Sequence, residues 1–215
     1  APQGSTALAT TFGKARRLSV RQRKRWLEIL TSLDARNVYV VYDEMGAPIL
    51  NVEEQGSGIG SFMKRLFLRS MRPFTSKVED LSTGGAHVLT LRRPFRFIFH
   101  RLEVMDANGT KLGAIQREWT WFRRKYVVEG PEGQEVATLF GPFFRPWTFK
   151  VLLPGGDPAR EVGLIQKKWS GLLKEAFTQA DNFWVDFGSV DDPQLRALLF
   201  SATALIDIVH FERKN

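Results

Sequence analysis

The amino-acid sequence predicts a mainly β protein, a sandwich or barrel of short antiparallel hairpins, with a buried helix near the C-terminus and an amphipathic helix near the N-terminus. Three observations carry that reading. A strand–turn–strand cadence recurs at residues 38–53, 102–116 and 125–140, with turns at Asp43-Glu44-Met45-Gly46, Asp106-Ala107-Asn108-Gly109 and Gly130-Pro131-Glu132-Gly133. Short strands separated by Gly, Asn and Pro turns belong to all-β folds. Gly113-Ala114-Ile115-Gln116-Arg117-Glu118-Trp119 is echoed fifty positions later by Gly163-Leu164-Ile165-Gln166-Lys167-Lys168-Trp169, the mark of a repeated β unit. Residues 193–211 are apolar almost all the way round a helix.

Taken in order, residues 1–17 read as a disordered or processed basic N-terminal segment, and residues 18–215 as one domain. From Ser19 the pattern turns helical: Trp26, Leu27, Leu30 and Leu33 recur at three- and four-residue spacing, Arg21, Arg23, Lys24 and Arg25 crowd the preceding turn, and Asn37 is a stop. Such a helix docks on its own domain with a solvated basic face, or lies on a membrane. The hairpins follow. Phe183, Val185 and Phe187 alternate with Asn182, Trp184 and Asp186, as in a half-buried strand. The last helix is too short for the roughly twenty apolar residues of a membrane span and contains Asp207, so Leu198, Leu199 and Leu205 are expected inside the protein.

The chain has 215 residues, 43% of them hydrophobic, enough for one good core. Cysteine is absent, which removes disulfides, thiolate metal sites and cysteine nucleophiles. The formal charge of +8 is localised: residues 1–37 carry a net +6 and residues 60–72 a net +4. Two basic patches imply an anionic partner surface, either membrane headgroups or nucleic acid. Catalytic and cofactor motifs are missing. Gly56-Ser57-Gly58-Ile59-Gly60 has Ser61 in place of a third glycine, His87, His100 and His210 lack metal-ligand spacing, and no Gly-x-Ser-x-Gly elbow occurs. The chain is therefore not expected to be an enzyme.

Several segments resemble the phospholipid scramblase family over residues 18–212. They are Tyr39-Val40-Val41-Tyr42-Asp43 with Gly46 and Glu53, Arg72-Pro73-Phe74 and Arg93-Pro94-Phe95, Gly141-Pro142, the stretch 163–181, Leu205-Ile206-Asp207, and Phe211-Glu212. The resemblance implies a Tubby-like closed antiparallel β-barrel around the C-terminal hydrophobic helix. It also implies ATP-independent, bidirectional movement of phospholipid between leaflets by a cytoplasmic, peripherally membrane-associated protein.

The family carries cysteine clusters that receive lipid chains. Here aromatic and basic residues stand in their places: Phe62, Lys64, Arg65, Phe67 and Arg69, then Arg96 and Phe97, then Phe143-Phe144-Arg145-Pro146-Trp147. Aromatic rings favour the membrane interface and cations attract anionic lipid, so the first two groups are the expected lipid-binding residues. The family's calcium site also implies ligands here, but Gln179 and Val190 replace two carboxylates, leaving Asp181 and Asp186 as the candidates. That is a sparse set for an ion that takes six to eight oxygens. The alternative reading is a cytosolic interaction or nucleic-acid-binding protein on the same scaffold. The sequence assigns no cofactor and no oligomeric state.

Overall fold

The structure, a computed structural model, describes residues 3–22, 38–55, 73–95, 99–121, 123–145, 147–155, 157, 159–168 and 182–210. Helix α1 (Gln3–Phe12) comes first. Twelve strands follow: β1 (Arg17–Gln22), β2 (Val38–Tyr42), β3 (Pro48–Gln55), β4 (Phe74–Asp80), β5 (Ala86–Arg93), β6 (Arg101–Asp106), β7 (Lys111–Glu118), β8 (Arg124–Glu129), β9 (Glu135–Gly141), β10 (Thr148–Leu152), β11 (Gly163–Lys168) and β12 (Asn182–Asp186). Helix α2 (Pro193–His210) closes the described chain. The strands are antiparallel neighbours in sequence order, and β1 pairs with both β2 and β12, which shuts the sheet into a barrel. Closure removes the free edges that an open sheet would expose.

Helix α2 is the core of the barrel. Leu198, Leu199, Phe200, Ala202, Leu205 and Ile206 are all buried, although together they cover every side of the helix. They form one apolar cluster with inward residues of the wall, among them Val20, Val41, Leu50, Val78, Leu102, Ile115, Leu139, Val151, Ile165 and Val185. A helix apolar on all sides has no stable place except inside the protein. Asp192 caps it, accepting from the backbone N–H of Gln194 at 3.2 Å and of Leu195 at 3.1 Å. Gly113 on β7 makes room for it. A Cβ there would lie 3.0 Å from Leu198 and 2.1 Å from the Glu129 carbonyl oxygen, so the first glycine of the repeated motif answers to close packing.

The hairpin turns are built from aspartate. Asp43 accepts the backbone N–H of Met45 and Ala47, and Asp106 those of Asn108 and Thr110, each at 2.8–2.9 Å. Gly46 and Gly109 follow at positive φ, which a side chain would oppose.

Two expectations need correction. Residues 17–22 are strand, not the start of a helix: Leu18 and Val20 point inward and Ser19 pairs with Trp184 and Tyr42. Pairing with β12 and β2 decides their structure, because β1 is the strand that closes the barrel. The rest of the expected amphipathic helix, residues 23–37, lies outside the described residues. Residues 3–12, expected to be disordered, form α1, whose Leu8 and Phe12 are buried, with the Phe12 ring 5.7 Å from that of Phe200. The buried Arg196 holds α1 in place. Its guanidinium donates to the carbonyl oxygens of Phe12 at 2.9 Å, Gly13 at 3.0 Å and Ala15 at 3.3 Å, where a helix C-terminus leaves acceptors unsatisfied.

Replacing Leu205, which is fully buried, with Asp places an unpaired carboxylate in the barrel core. The expected cost is several kcal/mol, comparable to the total stability of a domain. Urea denaturation followed by circular dichroism would show the variant unfolded or nearly so, and a variant as stable as the parent would contradict the central position of α2.

Candidate functional site

The two ends of the barrel differ in the connections they carry. At one end the strands are joined through 43–47, 81–85, 107–110, 130–134 and 153–162, and α2 enters there after 187–192. At the other end lie the connections 23–37, 56–73, 94–100, 119–123, 142–147 and 169–181, together with the C-terminal end of α2. We call these the turn end and the loop end. By sequence, the six loop-end connections hold twelve Lys/Arg against four Asp/Glu, and fourteen Phe or Trp. The connections at the turn end, 13–16 and those from 43–47 to 187–192, hold Lys14, Arg16 and Arg160 against seven acidic residues, with Phe187 as their one aromatic ring. By sequence, cations and aromatics are thus concentrated in the segments that join the strands at one end of the barrel.

Beneath the loop end the barrel interior becomes polar. Lys167, near the end of β11, points inward and its Nζ meets Asp207 Oδ1 on α2 at 2.9 Å, with side chains 1% and 7% exposed. The Tyr39 hydroxyl on β2 donates to Asp207 Oδ2 at 3.0 Å, and the Lys167 ammonium lies 5.2 Å from the centre of the Phe183 ring. A buried charge of this kind is tolerated only when paired and hydrogen-bonded. On β5 the buried Arg93 meets His100 Nδ1 at 2.7 Å. Tyr126 on β8 packs edge-to-face on Phe149, and burial pushes its phenol above the usual tyrosine range. Burial likewise lowers Arg124 at the rim, helped by the nearby Arg117, while Tyr126 opposes the shift.

The outer wall is charged. Arg101 makes a two-pronged contact with Glu129, at 3.0 and 2.5 Å, and also donates to Gln116 Oε1 at 2.7 Å. The hydrogen bond to Glu129 raises the Arg101 pKa against the opposing effect of burial. Lys125 pairs with Glu118, and Lys150 with Glu161, each at 2.9 Å. Apolar inside and charged outside is the reverse of a lipid-spanning barrel, which needs an apolar outer band. Among the described residues no helix is long and apolar enough to cross a membrane.

Of the sequence-predicted residues, Leu198, Leu199 and Leu205 are buried on α2. Phe62, Lys64, Arg65, Phe67, Arg69, Arg96 and Phe97 lie outside the described residues, and so does Asp181. The strands that flank them end at the loop end: β3 at Gln55, β4 at Phe74, β5 at Arg93 and β6 at Arg101. Asp186 sits at the turn end of β12, four residues beyond Asn182, or about 13 Å along the strand. It is engaged there by Arg17 Nε at 2.8 Å and by the backbone N–H of Gly188 at 3.0 Å. Asp191 accepts from Arg196, and no group of three His, Asp or Glu able to hold a metal occurs among the described residues.

Phe143 and Phe144 are exposed, while Trp147 packs partly against the core. Trp119 and Trp121 are also exposed, and sequence reasoning missed them as surface residues. The available signal was Trp119-Thr120-Trp121-Phe122-Arg123-Arg124 between two strands, the same mixture of rings and cations found in the other segments.

A scramblase family model matches residues 2–213. The chain is similar to phospholipid scramblase 2 of Homo sapiens, 29% identical over 204 residues, 90% of this chain and 67% of that protein. It is similar to phospholipid scramblase 1 of Mus musculus, 29% identical over 206 residues, 91% and 61% respectively. The chain therefore spans about three-fifths to two-thirds of the length of these relatives. A protein of Arabidopsis thaliana with a known X-ray structure shares the fold, with a TM-score of 0.54, 15% identity, and coverage of 96% of this chain and 99% of that one.

Removing one member of the Lys167–Asp207 pair strands the other in the core. Lys167→Met and Asp207→Leu are each expected to cost about 3–5 kcal/mol, and the double variant less than the sum of the two. Chemical denaturation of all four proteins measures the coupling; strictly additive losses would show that the pair does not act as a unit.

Proposed function

We propose that this chain, which belongs to the scramblase family, binds anionic phospholipid membranes peripherally with the loop end of its barrel facing the bilayer, and from that position promotes ATP-independent, bidirectional movement of phospholipid between leaflets. The observation that carries the proposal is the concentration, by sequence, of cations and aromatic residues in the connections that join the strands at one end of the barrel. Lysine and arginine near an anionic surface contribute about 1 kcal/mol each, and rings at the headgroup level add an apolar part that salt does not screen. A barrel filled by α2 leaves no lipid-sized path through its interior, so exchange in this reading proceeds in bilayer disturbed by the bound loops. The segment 62–69, between β3 and β4, is the proposed principal contact, through Phe62, Phe67, Lys64, Arg65 and Arg69, with Arg96 and Phe97, between β5 and β6, as further contacts.

The proposed binding does not require calcium. Gln179 and Val190 replace carboxylates in the acidic stretch, and Asp186 already has Arg17 and a backbone N–H as partners.

Vesicles of phosphatidylcholine with and without phosphatidylserine test these points together, with sedimentation reporting binding and dithionite bleaching of labelled lipid reporting leaflet exchange. Binding is expected to require phosphatidylserine, to weaken but persist at 1 M salt, where the screening length is about 3 Å, and to be unchanged by a chelator. Phe62→Ser with Phe67→Ser should remove much of the salt-resistant fraction. Binding lost completely at high salt would argue for a purely electrostatic contact, and binding without leaflet exchange would confine the function to membrane attachment.

A further inference from the structure

Four exposed rings occupy two neighbouring connections at the loop end. Trp119 and Trp121, between β7 and β8, are 64% and 79% exposed and meet edge-to-face with ring centres 5.0 Å apart. Phe143 and Phe144, between β9 and β10, are 63% and 91% exposed and meet in the same way at 5.3 Å. The β8–β9 pairing brings the two connections side by side, since Arg124 opens β8 directly opposite Gly141 at the end of β9.

Arg124 also braces them. Its Nη2 donates to the carbonyl oxygens of Pro142 at 3.3 Å and Arg145 at 3.4 Å, and its guanidinium lies 5.4 Å from the centre of the Phe149 ring. Arg123 stacks over Phe140 at 5.4 Å, and the Thr120 hydroxyl donates to the Arg123 carbonyl oxygen. The rings are thus displayed on turns that the barrel wall holds in shape. A surface group of large rings signals a partner, and the chemistry nearby identifies its type. Residues 119–123 and 142–147 contain Arg123 and Arg145 and no acidic residue. Trp beside Arg suits the headgroup level of a membrane, where one side of the ring is apolar and the other wet.

We propose that Trp119, Trp121, Phe143 and Phe144 form a preformed wedge that enters the headgroup–acyl boundary of an anionic phospholipid bilayer, with Arg123 and Arg145 at the level of the lipid phosphates. This inference rests on the loop end being the membrane face and adds a contact distinct from residues 62–69. It also fixes orientation: the β7–β10 side of the rim enters the interface.

The test uses the full chain with phosphatidylcholine–phosphatidylserine vesicles and acyl chains brominated at known depth. Parent tryptophan emission should shift to the blue and be quenched by shallow bromines. Trp119→Phe with Trp121→Phe should bind like the parent but lose much of that quenching. Trp119→Ser with Trp121→Ser, and separately Phe143→Ser with Phe144→Ser, should each lower partitioning at 1 M salt by about tenfold, with Tm unchanged. If both serine variants partition like a parent that binds vesicles, the wedge is wrong while the loop-end reading stands. If quenching survives the Trp→Phe pair undiminished, the wedge is equally excluded. A parent that does not bind these vesicles at all overturns the underlying reading as well.

Discussion

The fold depends on α2 filling the barrel. A twelve-strand sheet closed on itself encloses more space than its own side chains fill, and the helix supplies the missing volume with Leu198, Leu199, Leu205 and Ile206. The dependence is mutual, because a helix apolar on every face would aggregate without a wall around it. Other features follow from this arrangement. Gly113 must be small, Asp192 must cap a helix that begins at the barrel entrance, and Arg196 must satisfy the carbonyls where α1 ends. Near the C-terminal end of the helix, buried polar residues answer one another across the gap between helix and wall, as Lys167 and Tyr39 do with Asp207.

A filled interior also directs function to the ends and the outside. The wall carries paired charges such as Arg101 with Glu129, and the connections at the turn end are net acidic. The loop end remains, with connections that are, by sequence, rich in rings and cations. Because neighbouring strands alternate in direction, every second connection falls at the same end, and in this chain those are the basic, aromatic ones. The sorting is a property of the order of segments along the chain.

Much of this was legible in the sequence because the signals are local. Turns of the Asp-x-x-Gly type place two hairpins, alternation marks β12, and the all-round apolarity of residues 195–209 marks a buried helix. What was not legible depends on distant partners. Leu18 and Val20 alternate over too few residues to outweigh the helical spacing of Trp26, Leu27, Leu30 and Leu33, and only pairing with β12 reveals them as strand. Helix α1 is short and weakly amphipathic, and its place is set by Phe200 and Arg196, nearly two hundred residues away. Lys167 looks like one more surface cation until Asp207 is placed beside it. Trp119 looked like the end of a strand motif because its exposure follows from where β7 stops.

Barrel closure has a consequence for synthesis. Strand β1 emerges from the ribosome early, yet its partner β12 is translated some 165 residues later, and Leu18 meets Val185 only after both have appeared. Pairings so distant in sequence are slow to form. Until then the growing sheet has an open flank at β1 and an unfilled interior, since α2 is made after every strand. Unpaired flanks of this kind recruit other chains. The nascent sheet therefore stays prone to aggregation until β12 and α2, residues 182–210, close its flank and fill its interior.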